Sequence, residues 1–330
     1  MNHVNRRAAS AKIFALAGGA TVHLLSRAQG LVRRVGYLAG RDAQTAKTLL
    51  SAFLNGMADL GYQEGRNFIL DARYADGNYE RFPDLAIDLV QAKCDVIVVV
   101  AGDVAVKAVL AASKTVPMVT TTAVDPVGAG YAESLAHPNG TVTGLTNLQL
   151  EVVAKQVELM STVIPRLRAL GFLMNPRNIS HEVLYRSALR GAQGMQITVA
   201  PLQSGSEIEI VQQVVSAKRL GIQGLICPDD PFYNSKLRIL SNACIESKLA
   251  CVTTSPEFPV NGGLMSYGQN LQISFRRAAW YVDKILRGAK AGNLPFEQPT
   301  QLTFAVNTAT AQKLGIRIPQ SVLFMADTVL

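Results

Sequence analysis

Two α/β lobes, each a doubly wound, Rossmann-like parallel sheet, are what the pattern of this chain predicts. Short apolar runs alternate with amphipathic helical segments, and the alternation restarts near Leu148. The length of 330 residues exceeds one typical domain and suits two lobes of about 150 residues each.

The first lobe opens with an apolar strand over 32–39. A helix follows, with Leu49, Leu50, Phe53, Leu54, Met57 and Leu60 at three-and-four spacing and Gly61 as its stop. A strand over 68–74 leads to a helix carrying Leu85, Ala86, Leu89 and Val90, which the Tyr74-Ala75-Asp76-Gly77 stretch, Tyr79 and Phe82 introduce. Residues 96–100 are five consecutive β-formers, which only a sheet covered on both faces can bury. A helix then runs from Asp103 to Ala112, a strand spans 116–123, and the Asn139-Gly140 turn precedes a strand over 141–146.

The second lobe repeats the pattern without repeating the sequence. Helices are expected over 151–163, 182–193, 207–219 and 234–248, with Pro165 as a breaker. Strands fall over 169–174, 197–202, 224–227 and 250–254. Strand alternating with helix implies right-handed crossovers and a parallel order. Beyond these come a helix over 271–286, with Phe275, Ala278, Ala279, Val282 and Ile285 on one face, and a strand over 301–307.

Several phrases together resemble a known family: GYQEGRN at 61–67, DPVGAG at 125–130, NGTVTGLTN at 139–147, GGLMSYG at 262–268, YVDKILRGAKAGNLPFEQP at 281–299 and the segment from Asn307 to Leu330. They resemble the solute-binding proteins of ABC importers, in the uncharacterised-specificity branch that is tryptophan- or aromatic-amino-acid-binding-like. That resemblance implies the type I periplasmic binding protein fold, with a three-crossing hinge between the lobes. It also implies that the helix over 271–286 returns to the first lobe and the strand after it to the second. The lobes are then expected as 33–148 plus 269–299 and 149–268 plus 300–330.

Net charge is +8, with an isoelectric point near 9.4. Residues 1–28 hold Arg6, Arg7, Lys12 and Arg27 without an acid, so the remainder carries 28 basic against 24 acidic residues. A charge that small and scattered is a solvated surface and no nucleic-acid track. The twin arginine, the apolar stretch from Ile13 to Leu25 and Ser26-Arg27-Ala28 resemble a secretory signal cut after Ala28; a cytosolic leader is the alternative. No cysteine precedes Cys94, so a soluble periplasmic protein without a lipid anchor is expected. Cys94, Cys227, Cys244 and Cys251 lack C-x-x-C spacing and read as buried free thiols, with a Cys244–Cys251 disulfide as the alternative that export would permit.

Catalytic signatures are missing. The loop after the first strand reads AGRDAQ, without the glycines a pyrophosphate needs, and Leu264 stands where the first glycine of a nucleophile elbow around Ser266 belongs. His3, His23, His137 and His181 are scattered, and His181 reads as a solvated histidine at a helix start. No enzyme activity, cofactor or metal is expected.

What remains are polar groups and glycines at carboxyl ends of strands, where open α/β sheets place ligands beside helix N-termini. The first lobe offers Gly40, Arg41, Gly102, Asp103, Thr121, Thr122, Asp125 and, at the hinge, Asn147. Asp103 either pairs with a ligand amine or caps its helix, and Asp125 either contacts solute or shapes a turn. The second lobe offers Asn175, Ser180, Asp229 and Asp230 after Pro228, Ser255, Glu257 and Tyr267; Tyr267 either stacks on a ligand or packs under the hinge. The resemblance implies a cleft-lining aspartate at Asp230. The expected function is a monomeric periplasmic receptor that encloses a small amino-acid-like, aromatic or carboxylated solute and delivers it to ABC permease subunits. The alternative is a ligand-sensing module that signals to a membrane kinase or regulator.

Overall fold

The computed structural model describes residues 32–330; the expected leader lies outside the described residues. The first sheet is parallel, in the order β2-β1-β3-β4-β5. Its chain runs β1 (Arg33–Ala39), α1 (Lys47–Asp59), β2 (Phe68–Tyr74), α2 (Phe82–Gln91), β3 (Val96–Val100), α3 (Gly102–Ala112), β4 (Met118–Ala123) and β5 (Val142–Thr146). β3 lies in the middle and its first four residues are buried, as its uninterrupted β-branched run requires.

The chain then builds α4 (Gln149–Val163), β6 (Ala169–Met174), α5 (His181–Ala192), β7 (Thr198–Gln203), α6 (Glu207–Arg219), β8 (Gly224–Cys227), α7 (Pro231–Asn234), α8 (Leu237–Glu246), β9 (Ala250–Thr253), α9 (Glu257–Val260) and β10 (Met265–Gln269). It returns through α10 (Leu271–Leu286), β11 (Leu302–Val306), α11 (Thr308–Leu314), α12 (Gln320–Met325) and β12 (Thr328–Val329). The second sheet has the order β12-β11-β10-β9-β8-β6-β7, with β11 antiparallel to β10.

Three passages join the lobes: β5 to α4, β10 to α10, and α10 to β11. α10 lies on α1, where Gly56 permits the approach: a Cβ there would stand 2.4 Å from the Arg276 carbonyl oxygen. Their apolar faces, with Phe53, Met57, Phe275 and Val282, cover one side of the first sheet, and α2 and α3 cover the other. In the second lobe α4 and α5 cover one side, and α6 and α8 the other.

The expected helix over 234–248 is two helices. Pro231 starts α7 and the Asp230 carboxylate accepts from the Phe232 and Tyr233 N–H groups, so a short turn forms before α8 begins. α9, α11, α12 and β12 were not expected. All four cysteines are buried free thiols. Among the described residues no helix is long and apolar enough to cross a membrane.

Candidate functional site

The carboxyl ends of the two sheets face each other, and the lobes meet there. Gly40, just after β1, lies so close to α7 that a Cβ would fall 2.5 Å from Pro231 Cγ. Between them is a cavity of about 40 Å³. Space for about one water takes 10–15 Å³ on this measure, so the closed cleft suits a small group or solute and no polymer.

The first lobe lines the cavity with an apolar patch of Tyr37, Ala46, Leu49, Leu271 and Phe275, and adds Arg41, Gly102 and Thr122. Gly102 begins α3 at φ +66°, and its N–H donates to Thr122 Oγ1 at 3.3 Å. The second lobe contributes Gln149, Asn178, Ser180, Asp229 and Asn234, with Leu184 and Pro231.

Two opposite charges meet across the cleft. The Arg41 guanidinium lies 3.8 Å from Asp229 Oδ1 and 3.9 Å from Glu257 Oε1, both beyond hydrogen-bond reach. Asn234 Nδ2 donates to Asp229 Oδ1 at 2.6 Å. Burial pushes the Asp229 carboxyl up from its ordinary value, against the opposing pull of Arg41 and Asn234. A second positive group beside it would favour the charged form.

Two other aspartates tie the lobes together. Asp103 accepts from Tyr131 Oη at 2.6 Å and the Val124 N–H within its own lobe, and from Ser180 Oγ at 3.0 Å across the cleft. It does not cap its helix: Ala101 holds the cap position of α3, and Asp103, one residue inside the helix start, points its carboxylate into these partners. Asp230, fully buried, accepts from Tyr79 Oη of the other lobe at 2.7 Å, from Asn178 Nδ2 at 2.9 Å and from Asn175 Nδ2 at 3.3 Å. Burial alone would raise the Asp230 carboxyl, but the neighbouring His181 ring first, and then the Asn178 and Tyr79 donors, hold it below its ordinary value.

His181 is therefore no solvated histidine. It is buried, its Nδ1 accepts from the Asn175 N–H at 2.8 Å, and its Nε2 stands 3.3 Å from Asp230 Oδ2. The accepting Nδ1 leaves the ring proton on Nε2, toward the carboxylate.

Of the other residues expected at the site, Gly40, Arg41, Gly102, Thr122 and Ser180 gather at the cleft. Asn147 lines a smaller chamber at the hinge and donates to the Thr122 carbonyl at 3.1 Å. Asn175 sits behind the wall, with Asp230 and His181. Ser255 donates to Glu257, which approaches Arg41. Thr121 is buried in β4 and, unlike its neighbour Thr122, does not line the cavity. Asp125 accepts the Gly128 N–H at 2.8 Å and so shapes a turn. The Tyr267 ring packs edge-on against Phe304, 5.9 Å between centroids, which is the hinge-packing alternative.

Sequence reasoning passed over Tyr37, Leu49, Phe275, Gln149, Asn178 and Asn234 as site residues. Asp229 was legible beside Asp230 at the same strand end, and of the two it is the one that lines the cavity. The apolar members looked like ordinary core positions of a strand and two helices, and nothing local distinguishes a helix's first apolar turn under a cleft from one under a sheet. Tyr79, read as the start of a helix, supplies an interlobe hydrogen bond.

The family described as ABC transporter substrate binding protein matches residues 42–330. A tyrosine-binding protein of Clostridioides difficile (strain R20291) is 24% identical over 267 residues, 80% of this chain and 76% of that protein. Among solved structures, the ABC domain from Streptococcus pneumonia in complex with L-Trp is 22% identical, covers 91% of this chain and 100% of its own, and superimposes with a TM-score of 0.83. The ligand-free, open form of a substrate-binding protein with adhesive properties from Clostridium difficile is 21% identical over 90% of this chain and 99% of its own, with a TM-score of 0.65.

Proposed function

The chain belongs to the family of ABC transporter substrate-binding proteins, and from that premise we propose that it encloses a small amino-acid-like solute with an apolar or aromatic side chain. The observation that carries this reading is the pairing of Arg41 with Asp229 across a cavity whose other wall is apolar. A zwitterion matches both charges at once. In this reading Arg41 holds the carboxylate, helped by the positive end of α3. Asp229 holds the ammonium, and the side chain lies against Leu49, Leu271 and Phe275. The ligands named for the tyrosine-binding relative and for the L-Trp complex are of that class.

Closure makes the binding selective. Only a closed cleft touches the solute from both lobes, so the solute shifts the population toward closure by its extra affinity for that state. The interlobe hydrogen bonds Ser180–Asp103 and Tyr79–Asp230 then supplement the ligand's own contacts. No covalent step is involved. As the exported, monomeric receptor of an importer, the closed form presents its solute to the permease subunits.

The test is isothermal calorimetry of residues 29–330, refolded from denaturant to remove carried-over ligand, against the twenty L-amino acids, sugars and nucleosides. Binding confined to L-amino acids with apolar or aromatic side chains, and lost in Arg41→Ala, is the expected result. Sugar or nucleoside binding, or a panel without any response, would overturn the reading.

A further inference from the structure

Beside the main cavity, at the hinge, lies a second chamber of about 20 Å³. The two share Gln149, Asp229 and Leu271, so they adjoin. Asn147 and Gln149 reach the chamber from the passage between β5 and α4, Gln269 and Leu271 from the passage between β10 and α10, and Thr254 from the end of β9. Two of the three passages thus wall it.

Three of its polar atoms, Gln149 Oε1, Thr254 Oγ1 and Gln269 Oε1, are buried without a hydrogen-bond partner from the protein. Buried polar atoms are nearly always paired, so three around one chamber mark a place for a guest with matching donors. Gln269 is turned by its neighbour: its Nε2 donates to Ser274 Oγ at 2.6 Å, which leaves Oε1 unpaired. Two amide oxygens and a hydroxyl oxygen, all able to accept, surround a chamber that also borders the Asp229 carboxylate. A carboxylate guest would be repelled there. A hydroxyl brings one donor, whereas a primary ammonium brings three N–H donors and a positive charge. The volume admits a group about the size of one water.

We infer that the hinge chamber is the subsite for the primary ammonium of the solute, and that filling it joins two of the hinge passages in the closed arrangement. This rests on the amino-acid reading above. It adds that the ligand class is primary α-amines, and that the amine itself, more than the side chain, drives closure.

The experiment compares L-tryptophan and L-tyrosine with indole-3-lactate, 4-hydroxyphenyllactate and the Nα-methyl amino acids, by calorimetry on the wild type, Thr254→Val and Gln149→Leu. The hydroxy acids are expected to bind at least about 100-fold more weakly than the amino acids, and the Nα-methyl forms about tenfold more weakly, as one N–H is replaced by a group too large for the chamber. Thr254→Val should weaken amino-acid binding about fivefold and leave hydroxy-acid binding unchanged, with the unliganded melting temperature retained. Equal affinity for amino and hydroxy acids, or amino-acid affinity unchanged in both variants, would overturn the subsite and leave a water chamber. If neither amino acid nor hydroxy acid binds, the amino-acid reading itself falls, and the subsite with it. An altered melting temperature in Thr254→Val transfers the decision to Gln149→Leu and to the wild-type ligand series, which needs no variant.

Discussion

The two lobes present unlike walls to the same cavity. The first offers Leu49, Leu271, Phe275 and Tyr37 with one cation, Arg41; the second offers amides, a hydroxyl and one carboxylate, Asp229. Yet the sheets behind them share the same strand order from the edge inward, β2-β1-β3 in one and β7-β6-β8 in the other. The scaffold is common and the recognition chemistry is not. In the proposed reading, one lobe grips the apolar body of a solute and its negative end, and the other supplies most of the polar partners.

The contrast extends to the aspartates three residues beyond the equivalent strands β3 and β8. Asp103 accepts from three donors, one of them across the cleft. Asp230 accepts from five, being at once the cap of α7 and the interlobe partner of Tyr79. Asp230→Ala strands more buried donors and is expected to lower unfolding free energy by about 3 kcal/mol, against about 2 kcal/mol for Asp103→Ala. Urea unfolding of the two variants compares them directly; equal losses would mean that the extra donors find water.

The division of charge between the walls predicts the next largest effect. Arg41→Ala should cost about 100-fold in amino-acid affinity, and Arg41→Lys should recover only part of it, because a point charge replaces a fork that can hold both carboxylate oxygens. Calorimetry at constant ionic strength reads both. An unchanged affinity in Arg41→Ala would leave the first lobe only its apolar grip.

Asp229 sets the expected response to acid. Its carboxyl is raised by burial, and its charged form is the one that pairs with an ammonium, so affinity present at neutral pH is lost as pH falls through the raised value. The loss should begin above about pH 4, the range of an ordinary aspartate, and approach tenfold per pH unit below the transition. Asp229→Asn should bind more weakly and lack this transition when titrated by calorimetry. Asp230 is shifted the other way: its lowered carboxyl contributes stability that is present at neutral pH and lost as pH falls from the usual carboxylate range through the lowered value.

The smallest effects belong to the interlobe hydrogen bonds. Tyr79→Phe and Ser180→Ala should each weaken binding about fivefold, near 1 kcal/mol, while small-angle scattering of the unliganded variants shows a more open average shape. A change in thermal stability without a change in affinity would place these contacts inside the fold and outside the closing equilibrium.

Strongly patterned helices, and short apolar strands set between clear breakers, were legible in the sequence. β6, α6, β8 and α10 fall on the residues that apolar periodicity and flanking breakers marked. α9, α11, α12 and β12 were not, since four to seven residues of helix, or two of strand, carry too little of a period to stand out. The start of α7 did have a local signal, Asp230 followed by Pro231, which a helix drawn to begin at Asn234 ignored. At the site, Arg41, Gly102 and Thr122 could be read as strand-end positions. His181 could not, because its burial depends on Asn175 and Asp230, and the latter lies 49 positions further along the chain.

Taken alone, the sequence determined the alternation of strands and helices, the restart that makes two lobes, and the strand ends at which a ligand can meet helix N-termini. Only the tertiary structure decided which of those strand-end groups face the cleft. Asp229 and Asp230 are adjacent and chemically identical, yet one borders the cavity and the other is enclosed by its own lobe and Tyr79. The reason is physical: periodicity records which way a side chain points from its own backbone, whereas its partners, and hence its charge state and its use, come from residues that only closure brings near.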